Sequence, residues 1–314
     1  MGYKKAGFEV LGNVELDERI NAVYVKNQHP KYNFCMDLRE FNQIPDEKIP
    51  EELFNLDILD GSPPCSTFSM VGNRELDWGK EKKFTEGQKK QRLDDLFFVF
   101  LETVKKLNPK IVVAENVKGL ILKNARGYVN AILNGFRNMG YDCQLFLLNS
   151  AYMDVPQSRE RVFFIANRCK YPNIKLSFKR PVIPFGKVRT AEGREITSPD
   201  LKKYLKFMTP SDRSMADIIS RKTGRNRRFS DVIVQDHYVS GTVTSGGSNI
   251  RGFDKSYFSD GDFINVQTFP QDYDFQGESA EYICGMSVPP NMMAHIALEI
   301  WRQWLSYEKE CVEK

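Results

Sequence analysis

Nine residues, Gly61-Ser62-Pro63-Pro64-Cys65-Ser66-Thr67-Phe68-Ser69, hold the first group in the chain suited to chemistry. It is a thiol on a proline-stiffened loop directly after the short apolar run Leu56-Asp57-Ile58-Leu59. Pro63 and Pro64 fix φ and remove two backbone donors, which suits a nucleophile that must be in place before its substrate arrives. The carboxyl end of a strand in an open α/β sheet is also where ligands bind. A lone cysteine in a tight turn is more often a buried structural thiol, so other residues must decide. Further on, the β-branched run Ile111-Val112-Val113 ends in Ala114-Glu115-Asn116-Val117 and sets a carboxylate at a second strand end. Val155-Pro156-Gln157-Ser158-Arg159-Glu160-Arg161 then leads into the apolar run Val162-Phe163-Phe164-Ile165-Ala166. Taken singly, Glu115 reads as a strand-end acid or a cap, and the arginines as a surface ion-pair cluster. Taken together, the three segments have one economical explanation.

Pro-Pro-Cys after one strand, Glu-Asn-Val after the next and Gln-x-Arg-x-Arg before a later one, in this order and at these intervals, resemble the cytosine-C5 DNA methyltransferase family. Asp95-Leu96-Phe97-Phe98, Leu148-Asn149-Ser150-Ala151 and Gly285-Met286-Ser287-Val288-Pro289-Pro290 match further blocks, so the resemblance covers residues 3–170 and 265–307. It implies a Rossmann-like, S-adenosylmethionine-dependent α/β core, a mostly parallel sheet with helices on both faces, carrying a small irregular inserted target-recognition domain. The implied reaction moves a methyl group to carbon 5 of cytosine in specific duplex DNA sequences. Because that carbon is a weak nucleophile, a thiolate, here Cys65, first adds to carbon 6 of a base rotated out of the helix. The resemblance gives Glu115 to ring nitrogen 3 and the exocyclic amine, and Arg161 to the carbonyl oxygen. Arg159 is expected at a phosphate or at the cysteine loop, which Asn116 braces. No residue is singled out to remove the carbon-5 proton, and a water is expected to do so.

For the methyl donor, the resemblance assigns Glu15 to the ribose hydroxyls and Asp37 to the adenine amine, with Pro64, Leu96, Ser287 and Val288 lining the pocket. The plain readings of the two acids are a strand-end carboxylate and an N-cap. Met286 stands where the family often has asparagine. The family's opening strand and its Phe-x-Gly-x-Gly-Gly turn have no counterpart, since Gly2-Tyr3-Lys4-Lys5-Ala6-Gly7-Phe8 resembles the segment that follows that turn. Three explanations stand: a start assigned too far downstream, which is preferred, a truncated form, or a strand supplied by another chain. For a chain truly starting at Met1 the expectation is weak folding and weak cofactor binding, because losing a central strand exposes ladder groups and leaves a cavity.

Apolar periodicity predicts helices over 17–27, 92–106 and 125–139, and strands near 8–14, 56–60, 111–115, 143–148 and 161–167. That alternation is the pattern of a mostly parallel sheet covered on both faces. Residues 1–170 are read as the catalytic core, 171–262 as the target-recognition domain and 263–314 as the return to the core. The last segment contains a helix with Met293, Ile296, Ala297, Ile300 and Trp304 on one face.

The net charge of +4 is modest, but five cations fall within residues 221–228, and Lys80, Lys82, Lys83, Lys89 and Lys90 crowd the segment after the cysteine. Such runs are usually solvated faces; beside a base-modifying site they read as phosphate contacts. The expected DNA-binding set is Ser66, Lys82, Arg225, Arg227, Thr242, Thr244, Ser245 and Gly246, Thr242-Val243-Thr244 resembling a recurrent element of the family. The resemblance implies that residues 69–91 close over the DNA, Trp78 and Phe84 being read equally as contacts on closure or as packed or partly exposed side chains.

With 41% hydrophobic and 27% charged residues among 314, the composition is that of a globular protein with no apolar run of spanning length. Six cysteines without a CxxC pair predict reduced thiols and no metal site. The expected setting is the cytoplasm of a bacterium, or a phage-encoded protein acting there. A monomer is expected, with a cognate restriction endonuclease as a functional partner outside any complex. Two rival readings stay open: a DNA-binding protein or partial subunit without an intact cofactor site, and an RNA (tRNA) cytosine-C5 methyltransferase. Intact Cys65, Glu115, Arg159 and Arg161 argue against the first, and the basic inserted domain tilts against the second.

Overall fold

Parallel strands need a crossover connection, and the chain supplies one twice within its first 120 residues. The computed structural model describes residues 1–63, 96–122, 126–224 and 231–306. Pro64, Cys65, Ser66, Lys82, Arg225, Arg227 and the 69–91 segment lie outside these residues. After a short α1 (Gly2–Lys5), β1 (Gly12–Glu15) leads into α2 (Glu18–Gln28), and β2 (Tyr32–Cys35) returns parallel to β1 with Glu15 opposite Cys35. Asp17 caps α2 by accepting the Arg19 N–H, and Asp37 caps α3 (Leu38–Gln43) by accepting that of Arg39. β3 (Ile58–Gly61) then pairs in parallel with β4 (Ile111–Val117), α4 (Leu96–Leu107) preceding β4. Gly61 lets α4 approach closely, because a Cβ there would lie 2.2 Å from Phe100 Cε2.

α5 (Arg126–Asn138), β5 (Asp142–Asn149) and β6 (Glu160–Asn167) follow. β6 runs antiparallel to β4, and the strand order is β3-β4-β6-β5. This is the departure from an all-parallel sheet, and its cause is that only residues 150–159, with one short 3-10 turn, separate β5 from β6. Val112 and Ala114 of β4, with Val162, Phe164 and Ala166 of β6, pack against Phe97, Phe100, Leu101 and Val104 of α4 and Ile132 and Phe136 of α5. Each large side chain buried this way contributes roughly 1.5–3 kcal/mol relative to exposure.

β1 and β2 form a sheet of their own, with no ladder to the four-stranded sheet among the described residues. Val14 of β1 and Leu59 of β3 nevertheless pack on the same cluster of Phe41, Ile49, Leu53 and Leu107. The predicted strand over 8–14 begins only at Gly12, and β2, not predicted, is four residues long with alternating half-buried and exposed positions. Four residues are too few to give a period.

Contacts divide the chain into two units. All the elements above except α1 belong essentially to one, which comprises Val10–Leu148, Glu160–Leu176 and Glu299–Lys314. The other comprises Met1–Glu9, Asn149–Arg159 and Ser177–Leu298. In that second unit the stretch that shows no period in sequence contains α6 (Pro199–Leu205), α7 (Met215–Thr223), β7 (Val232–Val234) and β8 (Asn249–Arg251). β7 and β8 are parallel, and Ile196, Leu205, Met215, Ile218, Ile233 and Ile250 form the local core. Ser214 with Asp217 forms a capping box on α7, as Ser259 with Asp262 does on α8 (Asp260–Gln267).

Asp262 does more than cap. Its carboxylate accepts the Thr190 N–H at 2.8 Å and meets Arg251 at 3.3 Å, both side chains of that ion pair being fully buried. α9 (Ala280–Met286) and α10 (Pro290–Ile300) close the described fold. Ile296, Ala297, Ile300 and Trp304 are at most 1% exposed and Met293 is 8% exposed, as the sequence periodicity requires. No helix among the described residues is long and apolar enough to cross a membrane, and no cluster of possible metal ligands occurs among them.

Candidate active site

Glu115 and Arg161 come together through strand register. Arg161 lies opposite Val117 in the antiparallel β4–β6 pair, so Glu115, two residues before Val117 on the same face, is its diagonal neighbour. Arg161 Nε lies 2.8 Å from Glu115 Oε1, with side-chain exposures of 14% and 11%. Burial lowers the guanidinium's proton affinity and the Glu115 carboxylate opposes that shift. The second carboxylate oxygen, Oε2, accepts the Ser62 hydroxyl at 2.8 Å. Asn116 Nδ2 donates to the Pro63 carbonyl at 3.1 Å, and Asn116 Oδ1 accepts the Val117 N–H. The end of β4 thus grips the chain just beyond β3, at the two residues before Pro64-Cys65. Ser62 has no role in the sequence reading; its place in the cysteine-bearing run was the available signal.

Arg159 behaves differently from its neighbour. It is 2% exposed, and it donates from Nη1 to Val243 O at 2.8 Å and from Nη2 to Gly285 O at 2.9 Å. Both of these partners are backbone carbonyls; the cysteine loop, at which the sequence reading expects this side chain or else a phosphate, lies outside the described residues. In the cationic run at 221–228 the described Arg221 and Lys222 are exposed, yet both have partners within the chain. Arg221 pairs with the buried Asp212 and donates to Phe207 O, and the Lys222 ammonium sits 3.9 Å from the Phe207 ring centroid.

Of the expected DNA-facing residues, Thr244 and Gly246 are exposed and Ser245 is half-buried. The Thr242 hydroxyl turns inward to Ser158 O at 2.9 Å. His295 contacts the Asp154 carboxylate at 2.9 Å and the Phe178 ring edge.

The residues assigned to the methyl donor fit an adenosine group as far as they are described. Glu15 and Asp37 sit just at and beyond the carboxyl ends of the paired strands β1 and β2. Glu15 Oε1 accepts the Asp17 N–H at 2.9 Å, and burial raises its carboxyl above the usual glutamate value, with that hydrogen bond acting against the rise. Leu96, 7% exposed, packs on Leu38, the residue after Asp37. An acid for a ribose diol beside an apolar wall for a base is the donor set such a nucleoside needs. Ser287 and Val288 belong to the other unit, where the Ser287 hydroxyl donates to Ile283 O.

The sheet order, the capped helices behind it and a carboxylate–guanidinium pair at the strand ends define a Rossmann-like methyltransferase fold. In agreement, a crystal structure described as a DNA modification methyltransferase encoded within an E. coli prophage superposes with a TM-score of 0.68 over 96% of this chain and 94% of that one, at 16% identity. The S. pombe Dnmt2 methyltransferase gives 0.62 over 96% and 94%, at 15% identity. Residues 1–262 match the profile of the C-5 cytosine-specific DNA methylase family, and the chain belongs to that family. The orphan methyltransferase M.SPRI of Bacillus phage SPR is 34% identical over 59% of this chain, and the type II methyltransferase M.NgoPII of Neisseria gonorrhoeae 35% identical over 57%. These matches span 39% and 47% of the relatives' own lengths. The type II methyltransferase M.HindV of Haemophilus influenzae is 26% identical over 99% of this chain and 93% of its own.

Proposed function

We propose that this protein methylates carbon 5 of cytosine in specific duplex DNA sequences, with Cys65 as the nucleophile. The observation that carries the reading is the Glu115–Arg161 pair, tied through Ser62 to the chain two and three residues ahead of the thiol. In this mechanism the Cys65 thiolate adds to carbon 6 of an extruded cytosine, and electron density moves onto ring nitrogen 3 and the carbonyl oxygen. Arg161 stabilises the oxygen, and Glu115 shares a proton with nitrogen 3 while accepting from the exocyclic amine. The ring amine takes over the seat that Ser62 holds on Glu115. Glu15, Asp37 and Leu96 would hold S-adenosylmethionine, whose sulfonium methyl would pass to the electron-rich carbon 5 as its bond to sulfur breaks and S-adenosylhomocysteine leaves. Loss of the carbon-5 proton to water and elimination of the thiolate then release the product.

Residues 171–262 are proposed to read the target sequence, the exposed Thr244 and Gly246 contributing, with the catalytic core on either side in the chain. The working form is proposed to be a monomer acting in the cytoplasm of a bacterial cell, functionally paired with a restriction endonuclease.

The test is methyl transfer from labelled S-adenosylmethionine to mixed-sequence duplex DNA and to tRNA, for the parent protein and Cys65→Ser. Label in duplex cytosine, abolished in Cys65→Ser, is the expected result. Label in tRNA alone would replace the DNA reading with the RNA one. DNA binding without transfer would favour a binding protein or a partial subunit.

A further inference from the structure

Gln267, the last residue of α8, is fully buried and stands in none of the segments that carry chemistry. Its Nε2 donates to the carbonyls of Cys284 and Ser287, each at 2.7 Å, and so ties α8 to the C-terminal turn of α9, where Cys284 O also accepts the Ser287 N–H at 3.3 Å. Its Oε1 accepts from Gln157 Nε2. Gln157 is also fully buried, and its own Oε1 accepts the Val243 N–H at 3.0 Å. Arg159 completes the set through Val243 O and Gly285 O.

Both backbone groups of Val243 are therefore held by side chains from 157 and 159, and Val243 lies in no strand or helix. On the other side, Gly285 brings α9 against the same stretch. A Cβ at 285 would lie 2.3 Å from Ser245 N and 2.4 Å from Thr244 C, both backbone atoms that cannot rotate away. A buried polar network in which each member has partners fixes one geometry, and here the geometry it fixes is that of residues 242–245.

We propose that Gln267, acting through Gln157 and Arg159, is a positioning residue for sequence specificity: it sets the backbone register in which Thr244, Ser245 and Gly246 meet duplex DNA. The inference rests on the proposal that this loop faces the target. Charge attraction to phosphates does not depend on that register, whereas reading base edges does.

The experiment selects a randomised duplex library on the parent protein, Gln267→Met and Gly285→Ala, sequences the bound pool, and records bulk duplex affinity and the thermal midpoint of each. Gly285→Ala shifts the loop sterically without removing a polar group, so it tests the register even if the Gln267 variant folds poorly. Expected is a defined motif for the parent, and an enrichment of that motif at least about tenfold weaker in both variants, one mispositioned base contact being worth about that factor. Bulk affinity and its salt slope should stay within about twofold, because phosphate contacts are untouched. In the double variant the loss should not add, since both changes act on one device. Unchanged enrichment in a folded Gly285→Ala protein overturns the inference while leaving the proposed function standing. A parent that enriches no motif overturns the recognition reading of this loop and the inference with it.

Discussion

Arg161 Nε and Glu115 Oε1 stand 2.8 Å apart as diagonal neighbours on adjacent antiparallel strands, 46 positions apart in sequence. Neither side chain is more than 14% exposed. Each holds the other in one orientation, and a change at one is felt at the other.

Glu115→Gln keeps the size and one acceptor of the side chain but removes its capacity to share a proton. Methyl transfer is expected to fall by about 100-fold or more, the range for loss of a positioned acid or base. Single-turnover transfer, with cofactor binding measured separately by calorimetry, checks this. A rate within about threefold of the parent would remove Glu115 from the proton-handling role.

Asn116→Ala frees the Pro63 carbonyl from its 3.1 Å partner, and Ser62→Ala frees Glu115 Oε2. Each change should cost about 1 kcal/mol of stability, the net value of one hydrogen bond. Each should also lower the rate more than the affinity for DNA, because the residues secured are those leading to the thiol. Denaturant unfolding and a kcat-against-KM comparison separate the two effects.

The buried Glu15 carboxyl is raised above its ordinary 4.5, so the folded chain holds that proton more tightly than the unfolded one. Its contribution to stability is therefore full below pH 4.5 and is lost as pH rises through the higher folded value. Glu15→Gln should melt above the parent at neutral pH, with the gap narrowing as the pH falls towards 4.5. The same variant should bind S-adenosylmethionine about tenfold more weakly, having lost a charged acceptor for the ribose hydroxyls. Melting curves across pH, with titration of the cofactor, test both statements.

Asp262→Ala leaves the buried Arg251 with the partly exposed Asp254, 3.0 Å away, as its carboxylate partner, and removes the α8 capping box and the acceptor for Thr190 N. A loss of about 3–5 kcal/mol is expected, the usual result of breaking one side of a buried pair. Urea unfolding followed by fluorescence gives the value, and a shift below about 1 kcal/mol would show that the pair adds little.

Much of the core is legible along the chain because period and punctuation are local properties. The Ile111–Val117 run, the amphipathic pattern of α5 and the apolar face of α10 each follow from side-chain spacing alone. β2 and the elements between 171 and 262 were not legible, since strands of three or four residues and capped helices of seven to nine give too few repeats. The same limit applies to Arg159 and Arg161. They are two positions apart and chemically identical, and nothing local separates the guanidinium that pairs with Glu115 from the one that holds the Val243 and Gly285 carbonyls.

By itself the sequence determined the types and order of the segments that carry the family resemblance: a Pro-Pro-Cys run, a strand-end carboxylate and a paired-arginine segment. Only the tertiary structure decided which of them meet. Antiparallel register, a relation between residues far apart in the chain, joins Glu115 to Arg161, and the buried side-chain amides of Gln157 and Gln267, with the Arg159 guanidinium, hold Val243 and the end of α9. Such contacts depend on which backbone groups lack a partner after folding, and no local pattern of residues encodes that.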